Sequence, residues 1–208
     1  MCERLKFEKM AYDLGKKYVI GLDEAGRGPM AGPLVVGGVI FEKGYYNELI
    51  NDSKQLSEKK REELYDIIIR DALVYQIEVI DVEDVDRLNV YQASKKGMLD
   101  AIEHIAIEPD YALSDAMPLG DQIEHLAIVK GDTLSMSIGA ASILAKVTRD
   151  RIMKEYDKIY PEYGFAKHKG YPTKQHKEAL KQYGVTPIHR RSFQPVIDVL
   201  NEQLTLPI

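Results

Sequence analysis

The sequence predicts an α/β fold: a mixed sheet of about five strands with helices on its faces, plus a helical C-terminal portion. Three observations carry this. Apolar, β-branched runs of strand length alternate with stretches of helical periodicity. Acids recur at the ends of the apolar runs, at Asp23, Asp115 and Asp132. Gly and Pro breaks multiply after Pro161, where the chain turns lysine-rich.

Residues 1–17 read as a short amphipathic helix with Leu5, Met10 and Leu14 as contacts. YVIGLD is the first strand, PLVVGGVIF the second and ALVYQIEVI, from Ala72, the third. Short connections suggest an antiparallel meander, with one helix before the third strand. That helix starts near Ser57, a good N-cap, with Glu58 in its first turn and Leu64, Ile67 and Ile68 as its apolar stripe. A second helix runs from about Val90 to Ile107. YALSDA and HLAIVK follow as two short strands, each after a helix or loop, and so are candidates for parallel pairing. From about Ile138 to Tyr156 the pattern is helical. Its first half, GAASILA, is small enough to pack close against a sheet. Thr173 then caps a lysine-rich helix to about Gln182, and Gly184, Pro187 and Pro195 punctuate the tail. This predicts an N-terminal helical extension (1–17), a catalytic core (18–160) and a C-terminal helical lobe packed on it (161–208).

The 208 residues suffice for one sizeable core. One cysteine, Cys2, excludes a disulfide framework or a thiolate metal site and suits a reducing cytoplasm. No apolar run reaches membrane-spanning length, and MCERLKFEKM has no apolar signal core. Net charge is -5, but residues 146–191 hold twelve Lys and Arg against five Asp and Glu. Such a basic stretch is either a nucleic-acid surface beside an acidic site or a pair of solvated helices.

Acids at strand ends are costly to leave unpaired. If the strands lie side by side, Asp23, Asp115 and Asp132 converge on one edge, where a hard cation such as Mg²⁺ would hold them together. Each acid alone also reads as a turn former or cap. Asp150, in Thr-Arg-Asp-Arg, reads as an exposed helical acid paired with its arginines. Asp23 and Glu24 cannot share a site if the strand continues through both. The expectation is therefore that strand geometry ends at about Asp23 and Glu24 swings round the edge. Gly26-Arg27-Gly28 is a turn, or a place where main chain approaches a ligand while Arg27 grips a phosphate.

GLDEAGRGPMAGPLVVGGVIF, DSKQLS, LSDAM, VKGD, AASILAKVTRDRIM, HKGYPT and HRRSF, in this order, resemble type 2 ribonuclease H, the bacterial ribonuclease HII, over about residues 18–195. The first and fifth stretches are the most specific. The resemblance implies a ribonuclease H-like fold with a C-terminal helical extension. It implies an endonuclease that cuts the RNA strand of RNA–DNA hybrids and incises 5′ to ribonucleotides embedded in duplex DNA, leaving 3′-hydroxyl and 5′-phosphate ends, as ribonucleotide excision repair requires. Its metal-binding acids map onto Asp23, Glu24, Asp115 and Asp132, with Asp23 bridging two Mn²⁺ or Mg²⁺ ions. Asp150 matches a family position that supports the ligands at most. Gly26, Arg27 and Gly28 resemble the sensor of the ribose 2′-hydroxyl, and Tyr171 the tyrosine that packs on the next, deoxy sugar. Lys54, Lys146, His168 and Arg190 look like phosphate or scaffold contacts. Gln55 departs from a more usual lysine. The implied partners are RNA–DNA hybrid and ribonucleotide-containing duplex. No heptad or exposed apolar strand asks for a protein partner, so a monomer in the cytoplasm is expected. Two rivals stand beside this reading: a metal-free carboxylate-pair enzyme such as a glycosidase, and a nucleic-acid binding module whose acids only cap turns.

Overall fold

The β-branched runs become five strands: β1 (Val19–Ala25), β2 (Leu34–Ile40), β3 (Val74–Ile80), β4 (Tyr111–Asp115) and β5 (His125–Ile128). In a computed structural model, which describes residues 3–50, 53 and 56–205, they form one sheet in the order β3-β2-β1-β4-β5. β1 and β2 pair antiparallel, while β4 runs parallel to β1 and β5 parallel to β4. Leu73 N donates to Ile40 O at 2.9 Å, so β3 begins beside the end of β2.

A 3-10 turn (Glu3–Leu5) leads into α1 (Lys6–Asp13). α2 (Glu58–Asp71), α3 (Val82–Leu88), α4 (Val90–His104), α5 (Gly131–Leu134), α6 (Met136–Ile159), α7 (Phe165–His168), α8 (Lys174–Tyr183) and α9 (Gln194–Thr205) follow. The predicted caps of α2 and α8 form: Ser57 accepts from Lys60 N and Thr173 from His176 N. Four helices went unanticipated: α3, α5, α7 and α9. α3 is split from α4 by Asn89 at φ 66, and Asn89 Oδ1 then accepts from Tyr91 N and Gln92 N. α7 is a single turn between left-handed Gly164 and Lys169. α9 carries Pro195 in its first turn, where a missing N–H costs nothing.

The chain divides into two units. The first comprises residues 1–25, 35–79 and 94–147; the second comprises 26–34, 80–93 and 148–208. In the first, the central strands are buried on both faces. A Cβ added at Gly21 would lie 2.3 Å from Ser137 C, and one at Gly37 2.4 Å from Ala141 O. The small first half of α6 therefore lies directly on β1 and β2, as its composition predicted. By strand alternation Gly38 faces the other way, where its added Cβ would meet Ala101 of α4. One core joins Val39 and Phe41 to Leu64 and Ile68 of α2 and to Ala140, Ile143, Leu144 and Val147 of α6. Another joins Ala11 of α1 to Val19, Tyr111, Leu113, Ile128 and Ile138.

The second unit has its own core. Ala31, Met153, Tyr163, Phe165, Ala179 and Ile188 form one cluster, and Met30, Leu180, Val196 and Val199 another. An isolated bridge pairs Ala31 with His189.

Candidate functional site

Neighbouring strands β1 and β4 carry two of the predicted acids at or near their C-terminal ends. Asp23, two residues before the end of β1, is buried (3 % exposed), and Asp115 is the last residue of β4. Asp132 arrives differently. β5 stops at Ile128, and Asp132 sits on the one-turn helix α5 beyond it, entered through Lys130 at φ 59. One carboxylate oxygen from each of Asp23, Asp115 and Asp132 lies within 4.8 Å of the others. Local bonds hold these groups in place: Asp23 Oδ1 accepts Glu24 N at 2.7 Å, and Asp115 Oδ1 accepts Gly131 N at 2.7 Å.

Burial drives the Asp23 carboxyl well above the ordinary carboxylate range, and the negative charges of Glu24 and Asp115 push it further. The Ser142 hydroxyl opposes this. Crowded carboxylates of this kind suit a divalent cation, and an all-oxygen donor set suits a hard one. Ser142, from the first half of α6, also bonds Ser53 Oγ at 2.9 Å. Lys146, half-buried, is four residues on and so shares the helix face of Ser142.

Glu24 behaves otherwise than expected. β1 does not end at Asp23. It pairs through Glu24↔Val36 and Ala25↔Val35, because the antiparallel ladder with β2 satisfies that backbone. Glu24 does not join the three acids within the 4.8 Å limit. Its charge nevertheless acts on Asp23. The turn comes two residues later, at Gly26, where φ is +105.

In the second unit, Gly26 has a further reason to be glycine. An added Cβ would lie 2.3 Å from Arg149 Nε. Arg149 is buried and donates to Pro33 O (2.9 Å), Lys169 O (2.9 Å) and Ala31 O (3.1 Å). Burial lowers its pKa to about 10, which leaves it charged at neutral pH. Nothing in the local sequence marked this arginine, because a buried guanidinium serving carbonyls has no periodic signature. Arg190 behaves alike: it is buried and donates from Nε and Nη2 to Gly32 O at 3.0 and 2.9 Å, and from Nη1 to Arg27 O at 3.4 Å. His168 is buried too, accepting Gly170 N at Nδ1 (3.2 Å) and donating from Nε2 to Tyr163 O (2.7 Å). Of the two roles considered for Arg190 and His168, the geometry supports the scaffold. Lys54 lies outside the described residues. Asp150 is buried (5 % exposed), not the exposed acid expected, and its charge supports that of Arg149.

Arg27 and Gly28 are exposed, and Tyr171 is 45 % exposed. A Cβ at Gly28 would stand 3.2 Å from Tyr171 Cε1, so the ring lies against that glycine. The backbone of Tyr171 is held from behind. Thr186 N donates to His189 Nδ1 at 3.1 Å, which leaves the His189 Nε2–H to donate to His176 Nε2 at 3.1 Å. His176 then donates from Nδ1 to Tyr171 O at 3.0 Å. Burial lowers His176 to about 4 and His189 to about 3, so both rings are neutral.

The family model "Ribonuclease HII" matches residues 20–196. A ribonuclease HII of Acholeplasma laidlawii is 52 % identical over 200 residues, covering 96 % of this chain and 98 % of the relative. One from Clostridioides difficile is 53 % identical over 188 residues, covering 90 % of this chain and 74 % of the relative. The crystal structure of the ribonuclease H2 from Pyrococcus horikoshii superposes with a TM-score of 0.80 at 28 % identity, over 91 % of this chain and all of that one.

Proposed function

The chain belongs to the ribonuclease HII family, and we propose that Asp23, Glu24, Asp115 and Asp132 are the ligands through which it cuts nucleic acid. It is a divalent-metal-dependent ribonuclease H that cleaves the RNA strand of RNA–DNA hybrids. The finer reading adds incision 5′ to a ribonucleotide embedded in duplex DNA, leaving 3′-hydroxyl and 5′-phosphate ends. It also adds two ions, Mn²⁺ or Mg²⁺, and a monomer working in the cytoplasm. The observation that carries the site is the meeting of three carboxylates within 4.8 Å, on an aspartate that burial, and then crowding by like charges, drives toward protonation.

When bound, the ions supply an activated water and charge neutralisation at the leaving 3′-oxygen. The residues of the chain supply the rest. Asp23 would be the ligand that the ions share. Asp115 and Asp132 flank it, and Glu24 contributes its charge and completes the set. Lys146 serves the phosphate. Gly26, Arg27 and Gly28 present main-chain groups to the ribose 2′-hydroxyl, the atom that separates RNA from DNA. Tyr171 stacks on the neighbouring deoxy sugar, its exposed ring lying against Gly28. Arg149, Arg190 and His168 act on substrate indirectly, by fixing the backbone that carries these groups. The exposed basic residues of 161–208 follow the duplex backbone, so affinity falls with salt.

The test is a DNA duplex with one ribonucleotide, incubated with Mn²⁺ or Mg²⁺. The native protein nicks on the 5′ side, and EDTA abolishes the cut. Asp23→Asn and Asp115→Asn each lower the rate by at least about 100-fold. Cleavage that survives EDTA points to the metal-free carboxylate pair. Binding without any nick points to a non-catalytic module. Full activity in Asp115→Asn removes that residue from the ligand set.

A further inference from the structure

We propose that Arg4 and Glu8, on the N-terminal segment, are positioning residues for Asp132 and thereby set the affinity of the metal centre. The proposal rests on the reading of Asp132 as a ligand. Of the clustered acids, Asp132 alone stands off the sheet. Asp23 and Asp115 are set by ladders with β2 and β5, whereas α5 has four residues, no ladder, and a bond to β4 only at its first residue, from Gly131 N to Asp115 Oδ1. Val129, on the way to it, is 73 % exposed. A one-turn helix leaves its carbonyls without partners inside itself and is not stable alone. Something outside must hold it.

The N-terminal segment does so at two points. The Arg4 guanidinium donates to Asp132 O (2.9 Å), to Ser135 O (3.4 Å) and to Ile50 O. It thus places a positive charge on the main chain of the ligand residue itself, where helical carbonyls carry partial negative charge. Glu8 is buried, and its Oε1 accepts Ser135 Oγ (2.6 Å) and Ser137 N (3.0 Å). Ser135 Oγ in turn accepts Ile138 N (3.2 Å), so Glu8 and Ser135 together cap the start of α6. Arg4, on the 3-10 turn, and Glu8, in α1, both reach the junction between α5 and α6. One grips the end of α5, the other the start of α6.

Gly139 is an independent mark of the same contact. A Cβ there would lie 2.8 Å from Arg4 Nη2 and 2.9 Å from Asp132 O. The glycine keeps open the space in which the guanidinium meets the carbonyl. Partners that orient a metal ligand typically contribute 10–100-fold to metal affinity; Arg4 acts one step further back, fixing the main chain of Asp132 instead of its carboxylate.

The experiment titrates Mn²⁺ into the full chain, reading free aquo-Mn²⁺ by electron paramagnetic resonance. In parallel, nicking of the single-ribonucleotide duplex is followed against Mn²⁺ concentration. Arg4→Met removes the donors while keeping a long apolar stem. It should raise half-saturating Mn²⁺ by about 10-fold in both assays, with activity recovering as Mn²⁺ is raised. A merely structural loss would lower the amplitude at every Mn²⁺ level without moving the half-point. If Arg4→Met does not fold, Arg4→Lys decides: the compact ammonium keeps the charge but lacks the planar fork that spans the carbonyls of Ile50, Asp132 and Ser135, so an intermediate shift is expected. Asp132→Asn is measured beside them. Native half-saturation in both Arg4 variants, with Asp132→Asn shifted, overturns this proposal. An unshifted Asp132→Asn overturns the ligand reading beneath it.

Discussion

Arg149→Met is the sharpest perturbation of the second unit. The native side chain is 1 % exposed and spends its guanidinium on three carbonyls, of Ala31, Pro33 and Lys169. Methionine fills much of the volume and satisfies none of them. Each orphaned buried carbonyl costs about 1–3 kcal/mol. Removing the charge relieves its own burial cost, which already lowers its pKa to about 10. The net loss is then about 3–5 kcal/mol, the range for breaking a buried charged contact from one side. For a 208-residue chain this lowers Tm by roughly 6–20 °C. Thermal unfolding followed by circular dichroism measures it. Nicking is then assayed well below the new Tm, on a single-ribonucleotide duplex and on a continuous hybrid. Because Arg149 fixes backbone flanking Gly26–Gly28 and Tyr171, the embedded ribonucleotide should suffer more than the hybrid. A loss under about 1 kcal/mol, with the ratio of the two activities unchanged, would refute the reasoning.

Gly28→Val should crowd the Tyr171 ring, which an added Cβ already approaches at 3.2 Å. Nicking at an embedded ribonucleotide should drop about 10–100-fold, and a native rate in that assay would remove Tyr171 from the sugar contact. The buried histidines predict a pH dependence of stability. Both pKa values are depressed in the folded state, to about 4 for His176 and about 3 for His189. Their contribution is therefore present above about 6.5, the unfolded value, and is lost as pH falls through the window down to about 4 for His176 and about 3 for His189. At pH 5 the loss is about 2 kcal/mol for each ring. Tm measured from pH 7 to pH 5 should decline less steeply in His176→Gln than in the native chain, and identical slopes would count against it.

Much of this protein was legible in its sequence because the signals were local. Apolar runs of strand length became β1, β2, β4 and β5, and the small residues of GAASILA announced a helix pressed onto a sheet. Ser57 and Thr173 capped the helices they preceded, since a cap needs only a hydroxyl and an N–H three residues on. The acids Asp23, Asp115 and Asp132 were identifiable by type and by their place after apolar strands.

Tertiary structure decided what depends on partners far away in the chain. β1 ran on through Glu24 because β2 offered a ladder, so the turn fell at Gly26. Asp132 landed on a one-turn helix, not a strand end. Its place depends on Arg4, 128 residues earlier, and no reading of VKGD contains that. The sequence reads Arg149 only as a pairing partner of an exposed Asp150, and Arg190 as a phosphate or scaffold contact; both are buried braces on backbone carbonyls. The physical reason is common to all three. A chain advertises its own backbone preferences and its hydrophobic period, which are short-range. Which carbonyl a guanidinium satisfies, and which face a carboxylate shares, are set only when distant segments pack and every buried polar group must find a partner.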